Sequence, residues 1–127
     1  MRPAGADRLS VMSDERSIFS RIVSREIPAD IVYENDRIIA FRDIAPQAPV
    51  HVLVVPKTEE YATVVELAAA DAPLLAEVVA VADAIAREHA DGDFRLVFNT
   101  GAGAGQTVFH VHAHVLAGGV TEGSLAH

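Results

Sequence analysis

The stretch GQTVFHVHAHVL, residues 105–116, decides the fold that this sequence predicts. Its histidines alternate with small or apolar residues, and alternation with a period of two is typical of a β-strand whose faces lie in different environments. We therefore expect the imidazoles of His110, His112 and His114 to point to one face of a strand, about 6.6 Å apart. The residues between them should face the opposite side.

Packing alone explains three histidines in register poorly. Protonated imidazoles on one face would repel, and buried neutral ones would need partners for their ring nitrogens. Two functional interpretations remain open, metal ligation and acid–base or nucleophilic catalysis. A metal would need a third or fourth ligand, which His51 could supply, but there is no Cys and no Asp or Glu lies close to the three histidines in sequence.

The length, composition and net charge of the chain indicate how many domains it has and which kinds of partner it can bind. The chain has 127 residues, half of them hydrophobic, which is enough for one domain with its own core. Lys and Arg number 10 against 18 Asp and Glu, so the net charge is −8. Since no basic run is present either, binding to extended nucleic acid or to a membrane surface is not expected.

The expected compartment and domain boundaries follow from what the sequence lacks. Without cysteine, disulfides, thiol nucleophiles and thiolate metal sites are excluded. Residues 1–15 lack the apolar core of a secretion signal, and no run approaches the roughly 18 apolar residues of a membrane span. We therefore expect a cytoplasmic protein with a flexible tail at residues 1–15 and a single domain at residues 16–127.

The remaining pattern predicts an α+β domain with a mostly antiparallel sheet of about five strands, one long helix and one short helix. The short helix should run from Ser17 to about Arg25, with Asp14 or Ser17 as its cap. Asp71 can cap the long helix, which should end near residue 89, and a short helical turn could form around residues 64–67. Besides the histidine stretch, strands are predicted at 31–34, 37–41, 50–56 and 94–99, the first two forming a hairpin.

The long helix carries more apolar surface than one sheet requires. This extra width predicts contact with another subunit, while burial of the whole helix within one monomer is the alternative. Its apolar residues form two neighbouring stripes: Leu74, Val78, Val81, Ala82 and Ile85 in one, and Leu75, Val79 and Ala86 in the other.

A glycine-rich loop, TGAGAGQ at residues 100–106, precedes the histidine stretch. Glycines let the backbone approach a ligand and turn several N–H groups toward an anion, although a flexible strand connection is the alternative. Asn99, Gln106 and Thr107 add neutral donors suited to phosphate or ribose oxygens. Because a neutral imidazole is a competent nucleophile at pH 7, phosphoryl transfer at the histidines would need no metal.

These segments resemble the histidine triad family. The run HVHAHVL at residues 110–116 matches the His-φ-His-φ-His-φ-φ motif of that family, where φ is a hydrophobic residue. The segments REIPA at 25–29, FRDIAPQAPVH at 41–51 and GQTVFH at 105–110 are also similar to segments of its members. The resemblance extends from about Ser17 to Gly119.

The resemblance implies a role for individual residues. His112 would be the nucleophile that takes a nucleoside monophosphate, with His110 and His51 in its supporting relay and His114 at the phosphate and leaving group. No cofactor and no metal would be required. The implied nucleotide contacts are Asp43 at the ribose, Ile44, Ile27, Phe41 and Phe19 around the base, and Asn99, Gly105, Gln106 and Thr107 at the phosphate.

The implied activity is hydrolysis of the P–N bond of purine nucleoside 5′-phosphoramidates, with aminoacyl-adenylates as further candidate substrates. The resemblance also implies a homodimer whose sheet continues across both subunits. Two alternatives stay open: a dinucleoside polyphosphate hydrolase or nucleotidyl transferase of the same fold, and a nucleotide-binding adaptor. The chain departs from the family in its short tail without Trp after Gly119, which leaves the preferred leaving group open. The cysteine-containing zinc site of some bacterial relatives cannot form here.

Overall fold

The structure, a computed structural model, describes residues 16–121. The tail expected at residues 1–15 and the last residues of the expected domain lie outside this range. Within it the chain forms an α+β fold in which five strands make one sheet. In chain order the elements are α1 (Ile18–Val23), β1 (Ile31–Glu34), β2 (Ile38–Arg42), β3 (Val50–Pro56), α2 (Val64–Ala70), α3 (Ala72–His89), β4 (Arg95–Val97) and β5 (Ala113–Ala117).

The sheet has the strand order β1-β2-β3-β5-β4, and every neighbouring pair is antiparallel. The predicted hairpin is present, and the Asn35 side chain closes its turn by accepting from the backbone N–H groups of Arg37 and Ile38 at 2.9 and 2.8 Å. The predicted apolar strand, β3, is the central one, and six of its seven residues are buried. The expectation of a strand covered on both faces is therefore confirmed.

Helix α3 covers one face of the sheet. All five residues of the first predicted stripe are buried there against alternate residues of β3 and β5, such as Val52, Val54 and Val115. The residues of the second stripe differ in burial: Ala86 is buried, Leu75 is half-buried and Val79 is 42% exposed. Part of the wide apolar surface therefore faces away from this sheet.

Helix α1 packs on the opposite face, where Phe19 and Ile22 join Phe41 and Leu53 in a second apolar cluster. The helix ends at Val23, earlier than predicted. The cause is Arg25, which has a φ of 67° in the left-handed region and donates its backbone N–H to the Ile22 carbonyl. This turn ends the helix before the predicted boundary.

The prediction of a single strand over the whole histidine stretch is wrong. Only His114 lies in β5, which begins at Ala113, because the ladder between β3 and β5 stops at the pair Val54–Ala113. Before it, Val111 donates its N–H to the carbonyl of Tyr61 at 2.9 Å instead of to a strand. The alternation nevertheless persists, since Val111, Ala113 and Val115 all lie in the core beneath α3.

Two other boundaries differ from the prediction. The helical turn expected near residue 64 is a full helix, α2, capped by the side chain of Thr63, so there are three α-helices among the described residues instead of two. Strand β4 has three residues instead of the predicted six. In the described part of the chain, no helix has the length and apolarity needed to cross a membrane.

Replacing Asp71 with Ala should lower the free energy of unfolding by about 1 kcal/mol, the usual contribution of an N-cap. Asp71 accepts from the N–H of Leu74 at the start of α3 and from Arg37 at 3.0 Å. Urea denaturation measures the change. The control is Asp83→Ala, which removes only an exposed pair with Arg87 and should cost less than about 0.5 kcal/mol. Equal losses in both variants would contradict the capping role.

Candidate active site

Four histidines from two parts of the chain meet on the sheet face opposite α3. His114 lies opposite Leu53 in the β5–β3 register, and His51 lies two residues before Leu53, so both side chains share that face. The ring of His114 lies 5.2 Å from the ring of His51 and 5.2 Å from that of His112. A row of imidazoles therefore exists although only His114 belongs to the strand.

The ring of His112 is held by a backbone carbonyl. Its Nδ1 lies 2.9 Å from the carbonyl oxygen of His110. Because a carbonyl oxygen only accepts, the neutral ring carries its proton on Nδ1 and keeps a lone pair on Nε2. The ring of Phe19 packs edge-on against this imidazole, with the centroids 4.8 Å apart. His112 is thus fixed in the tautomer that a nucleophile requires.

His110 is held at both ring nitrogens. Its Nε2 donates to the carbonyl of Pro56 at 2.7 Å, so its Nδ1 is an acceptor, and the Ser17 hydroxyl lies 2.5 Å from that atom. The residue is 1% exposed. The sequence predicts for Ser17 only a role as a candidate cap of the short helix, and a contact across 93 positions leaves no local signal by which to find it.

At the other end of the row, a chain of hydrogen bonds fixes His114. The backbone N–H of Gln47 donates to Nδ1 of His51 at 2.9 Å, so His51 carries its proton on Nε2. Nε2 of His51 donates to Nδ1 of His114 at 3.0 Å. The same Nε2 lies 3.4 Å from a carboxylate oxygen of Asp43. His114 therefore carries its own proton on Nε2.

Burial keeps the four imidazoles neutral at pH 7. It lowers the pKa of His51, His110 and His112 below the ordinary value, and the nearby charge of Asp43 opposes this only in part at His51 and His112. For His114, burial followed by the neighbouring His112 and His51 lowers the pKa to about 4. The repulsion that a charged row would create is therefore absent at neutral pH.

The aromatic residues predicted at the base come together beside the row. The rings of Phe19 and Phe41 lie 5.7 Å apart, and Ile27 packs against the same cluster. Asp43 is half-buried at the end of this surface, and its second carboxylate oxygen accepts from the N–H of Ala45 at 2.8 Å. Ile44 is 99% exposed, so it projects from the loop without joining the cluster.

The glycine loop contains a short 3₁₀ turn at Ala102–Ala104. Gly101 and Gly105 flank it with φ of 91° and 93°, a region that favours glycine. Gln106 is buried and bonds entirely within the protein: its Oε1 accepts from the N–H of Gly101, and its amide group donates to the carbonyls of Ala62 and Val108. Its side chain holds the loop in place, so it has no N–H left for the phosphate contact expected from the sequence.

The other two predicted phosphate donors are more open. Thr107 is exposed directly after the loop. Asn99 follows β4, in which Val97 is paired with His114. Both residues thus lie close in sequence to the histidine row or to its strand partner.

Among residues 16–121, one group could hold a metal ion. One side-chain ligand atom each from Asp43, His51 and His114 lie within 4.8 Å of one another. In this arrangement, however, His51 Nε2–H already donates to His114 Nδ1, so a cation would have to displace the shared proton. The hydrogen-bonded arrangement satisfies these groups without a metal.

Known proteins are similar to this chain in sequence and in fold. The family model described as "Scavenger mRNA decapping enzyme C-term binding" matches residues 16–125. The chain is 44% identical to the purine nucleoside phosphoramidase of Escherichia coli over 115 residues, covering 89% of this chain and 96% of that one. It is 50% identical to an uncharacterised HIT-like protein of Synechococcus elongatus over 105 residues, covering 82% and 91%.

Solved structures agree with these relatives. A HIT family hydrolase from Clostridium thermocellum superposes with a TM-score of 0.77 at 43% identity, covering 82% of this chain and 91% of that one. A HIT family hydrolase from Legionella pneumophila also has a TM-score of 0.77, at 42% identity and with 84% and 95% covered. The sheet and helices described above are therefore those of a well-populated fold.

Stability should fall as the pH is lowered from 7 to 5. The unfolded chain gains protons on these histidines below about pH 6.5, whereas the folded protein resists protonation because their pKa values are lowered. His114, with a folded pKa of about 4, should alone lower the free energy of unfolding by about 1 kcal/mol per pH unit on average within this window. Urea denaturation across this range, with NMR titration of the rings, measures the effect. A flat profile would contradict the buried neutral row.

Proposed function

Since the chain belongs to the histidine triad (HIT) family and is a hydrolase of that family, we propose that it cleaves the P–N bond of purine nucleoside 5′-phosphoramidates through a nucleotide attached to His112. The observation that carries this proposal is the hydrogen bond from Nδ1 of His112 to the carbonyl of His110, which leaves a lone pair on Nε2. The 44% identity to the phosphoramidase of Escherichia coli supports the choice of bond.

In the first step, Nε2 of His112 attacks phosphorus, an N–P bond forms and the P–N bond to the amine breaks. The ring of His112 then bears the nucleotide on Nε2 and a proton on Nδ1, and the carbonyl oxygen of His110 stabilises its positive charge. The departing nitrogen takes a proton from solvent and leaves as the amine, while the Nε2–H of neutral His114 donates a hydrogen bond at the phosphate and leaving group. Charge stays balanced because the proton taken from solvent matches the positive charge that forms on the ring of His112.

In the second step, water attacks the phosphorus and the N–P bond to His112 breaks. The water gives a proton back to solvent, Nε2 of His112 regains its lone pair, and the nucleoside monophosphate leaves. His51 keeps Nδ1 of His114 occupied throughout, so the Nε2–H of His114 stays available as a donor in both steps. Each ring thus starts and ends in the form that the structure favours.

The nucleotide would lie along the surface beside the row. Phe19, Phe41 and Ile27 supply apolar contacts for a purine base, and the Asp43 carboxylate accepts from ribose hydroxyls. Asn99, Thr107 and the backbone around Gly105 bind the phosphate, with Gln106 holding that loop in place from behind. Ile44, exposed on its loop, would contact the base only at its outer edge.

Replacing His112 with Asn should lower kcat/KM for adenosine 5′-phosphoramidate on the order of 10³-fold or more, because the nucleophile is removed while the size of the side chain is nearly kept. Mass spectrometry of the wild-type enzyme, quenched in alkaline denaturant because the P–N bond on histidine is labile in acid, should detect a nucleotide on this histidine. The control is His89→Asn, the same chemical change at the end of α3, which should keep near-normal turnover. Near-normal turnover of the His112→Asn enzyme would refute the mechanism.

A substrate panel separates the proposed activity from its rivals. Adenosine 5′-phosphoramidate, an aminoacyl-adenylate and a diadenosine polyphosphate are compared at equal concentration. A higher kcat/KM for the phosphoramidate is expected. Preference for the dinucleotide would favour the polyphosphate hydrolase, and tight binding of AMP without turnover of any of the three would favour the adaptor.

We also propose that two copies form the active protein through the outer face of α3 and the edge strand β4. This face carries Val79 with small apolar residues around it and the Asp83–Arg87 ion pair toward its C-terminal end. Strand β4 is the last strand of the sheet order, so a second sheet can continue from it. Exposed apolar area on a regular helix favours such association. The exposed residues of this face are Ala76, Val79, Ala80 and Ala84.

Replacing Val79 with Glu should convert the dimer to a monomer, because the substitution places a charge in the centre of an apolar contact. Size-exclusion chromatography with light scattering measures the mass. The control is Glu88→Gln at the exposed end of the same helix, which should leave the mass unchanged. A wild-type protein with the mass of one chain would contradict the proposal.

A further inference from the structure

We propose that Ser17 is a positioning residue that sets the ring state of His110 and thereby joins helix α1 to the support of the nucleophile. Its predicted kinetic effect rests on the phosphoramidase activity proposed above, whereas its effect on His110 does not. Ser17 is far from the histidine motif in sequence. Its role would be exerted through the hydrogen bond between its hydroxyl and Nδ1 of His110.

The neutral ring of His110 needs a hydrogen-bond donor at Nδ1. Its Nε2–H is committed to the Pro56 carbonyl at 2.7 Å, so Nδ1 must accept. The ring is buried, so water cannot readily substitute for a protein donor. The hydroxyl of Ser17, 2.5 Å away, supplies the proton.

The same hydroxyl performs a second task. The oxygen of Ser17 accepts the backbone N–H of Ser20 at 3.0 Å, which caps the first turn of α1. The single proton of the hydroxyl therefore goes to His110, while an oxygen lone pair goes to the helix. A side chain that only accepts could keep the cap, but it could not satisfy His110 in its neutral form.

This dual contact ties the nucleotide pocket to the nucleophile. Phe19, two residues after Ser17, has its ring centroid 5.9 Å from that of His110 and 4.8 Å from that of His112. The carbonyl of His110 is the group that holds Nδ1 of His112. A shift at Ser17 would therefore move the aromatic wall and the support of His112 together.

The charges around His110 make its ring state responsive to this contact. Burial lowers its pKa, while the hydrogen bond to Pro56 and the negative charge of Glu59 oppose that shift. His112 is the other titratable group nearby, and it is neutral at pH 7. A carboxylate in place of the Ser17 hydroxyl would be a second negative group, this time in direct contact with Nδ1, and would favour protonation of that nitrogen.

Three variants at one position, Ser17→Thr, Ser17→Asp and Ser17→Ala, test this role. Thr keeps both the cap and the donor, Asp keeps the cap but can only accept, and Ala removes both. Thr63→Ala is the matched control because it removes the corresponding cap of α2 without contacting a histidine. The readouts are ¹⁵N–¹H spectra of the histidine rings over a pH series, and kcat and KM for adenosine 5′-phosphoramidate.

In the wild type and in Ser17→Thr, His110 should be neutral with its proton on Nε2 at pH 7. In Ser17→Asp the pKa of His110 should rise so that both nitrogens carry protons at pH 7. In Ser17→Ala the ring should lose its single tautomer, and kcat should fall about tenfold with a smaller change in KM, since the nucleophile is displaced more than the binding surface. Thr63→Ala should change none of these.

An unchanged His110 titration in Ser17→Asp would overturn the proposal, even if Ser17→Ala failed to fold. So would a spectrum of Ser17→Thr that resembles Ser17→Ala, because Thr offers the same hydroxyl. If the ring spectra change as expected but no variant, wild type included, hydrolyses the phosphoramidate, the proposed activity fails and the link between Ser17 and His110 stands.

Discussion

A neutral imidazole has one donor and one acceptor, and this fold must satisfy both on buried histidines without charging them. The solution is a set of fixed partners: the Pro56 carbonyl and Ser17 hydroxyl at His110, and the Gln47 N–H at His51. Each partner assigns a tautomer to its ring, and the N–H of Gln47 does so for His114 as well, through His51. At His112 and His114, Nδ1 is held while Nε2 is left for a ligand.

The sheet serves this constraint by its register. β3 carries His51 near its first end and the Pro56 carbonyl at its other end, so one strand supports both ends of the histidine row. Alternate residues of β3 and β5 pack beneath α3. This packing fixes which side chains of the two strands lie on the opposite face of the sheet. A slip of one residue in either strand would exchange imidazoles for valines, so the hydrophobic core and the chemistry depend on the same pairing.

The sequence predicted the features that repeat and missed those that depend on distant partners. The period-two pattern located the row and its core-facing neighbours, and caps at Asp71 and Ser17 were readable from residue type. The start of β5 was not, because it depends on the hydrogen bond from the N–H of Val111 to the carbonyl of Tyr61 rather than on any property of the histidine stretch. The buried position of Gln106 was equally hidden, since its partner at residue 62 belongs to another segment.

The net charge of −8 places a further demand on a protein that is to bind a phosphate. Neither the histidine row nor the residues proposed around the phosphate include Lys or Arg, and the arginines at 25 and 37 are paired with carboxylates on the surface. Attraction must then come from N–H and O–H groups at short range, whose effect salt screens little. A neutral row suits this arrangement: positive charge develops on His112 only when phosphorus is attacked, so it stabilises the transition state more than the bound substrate.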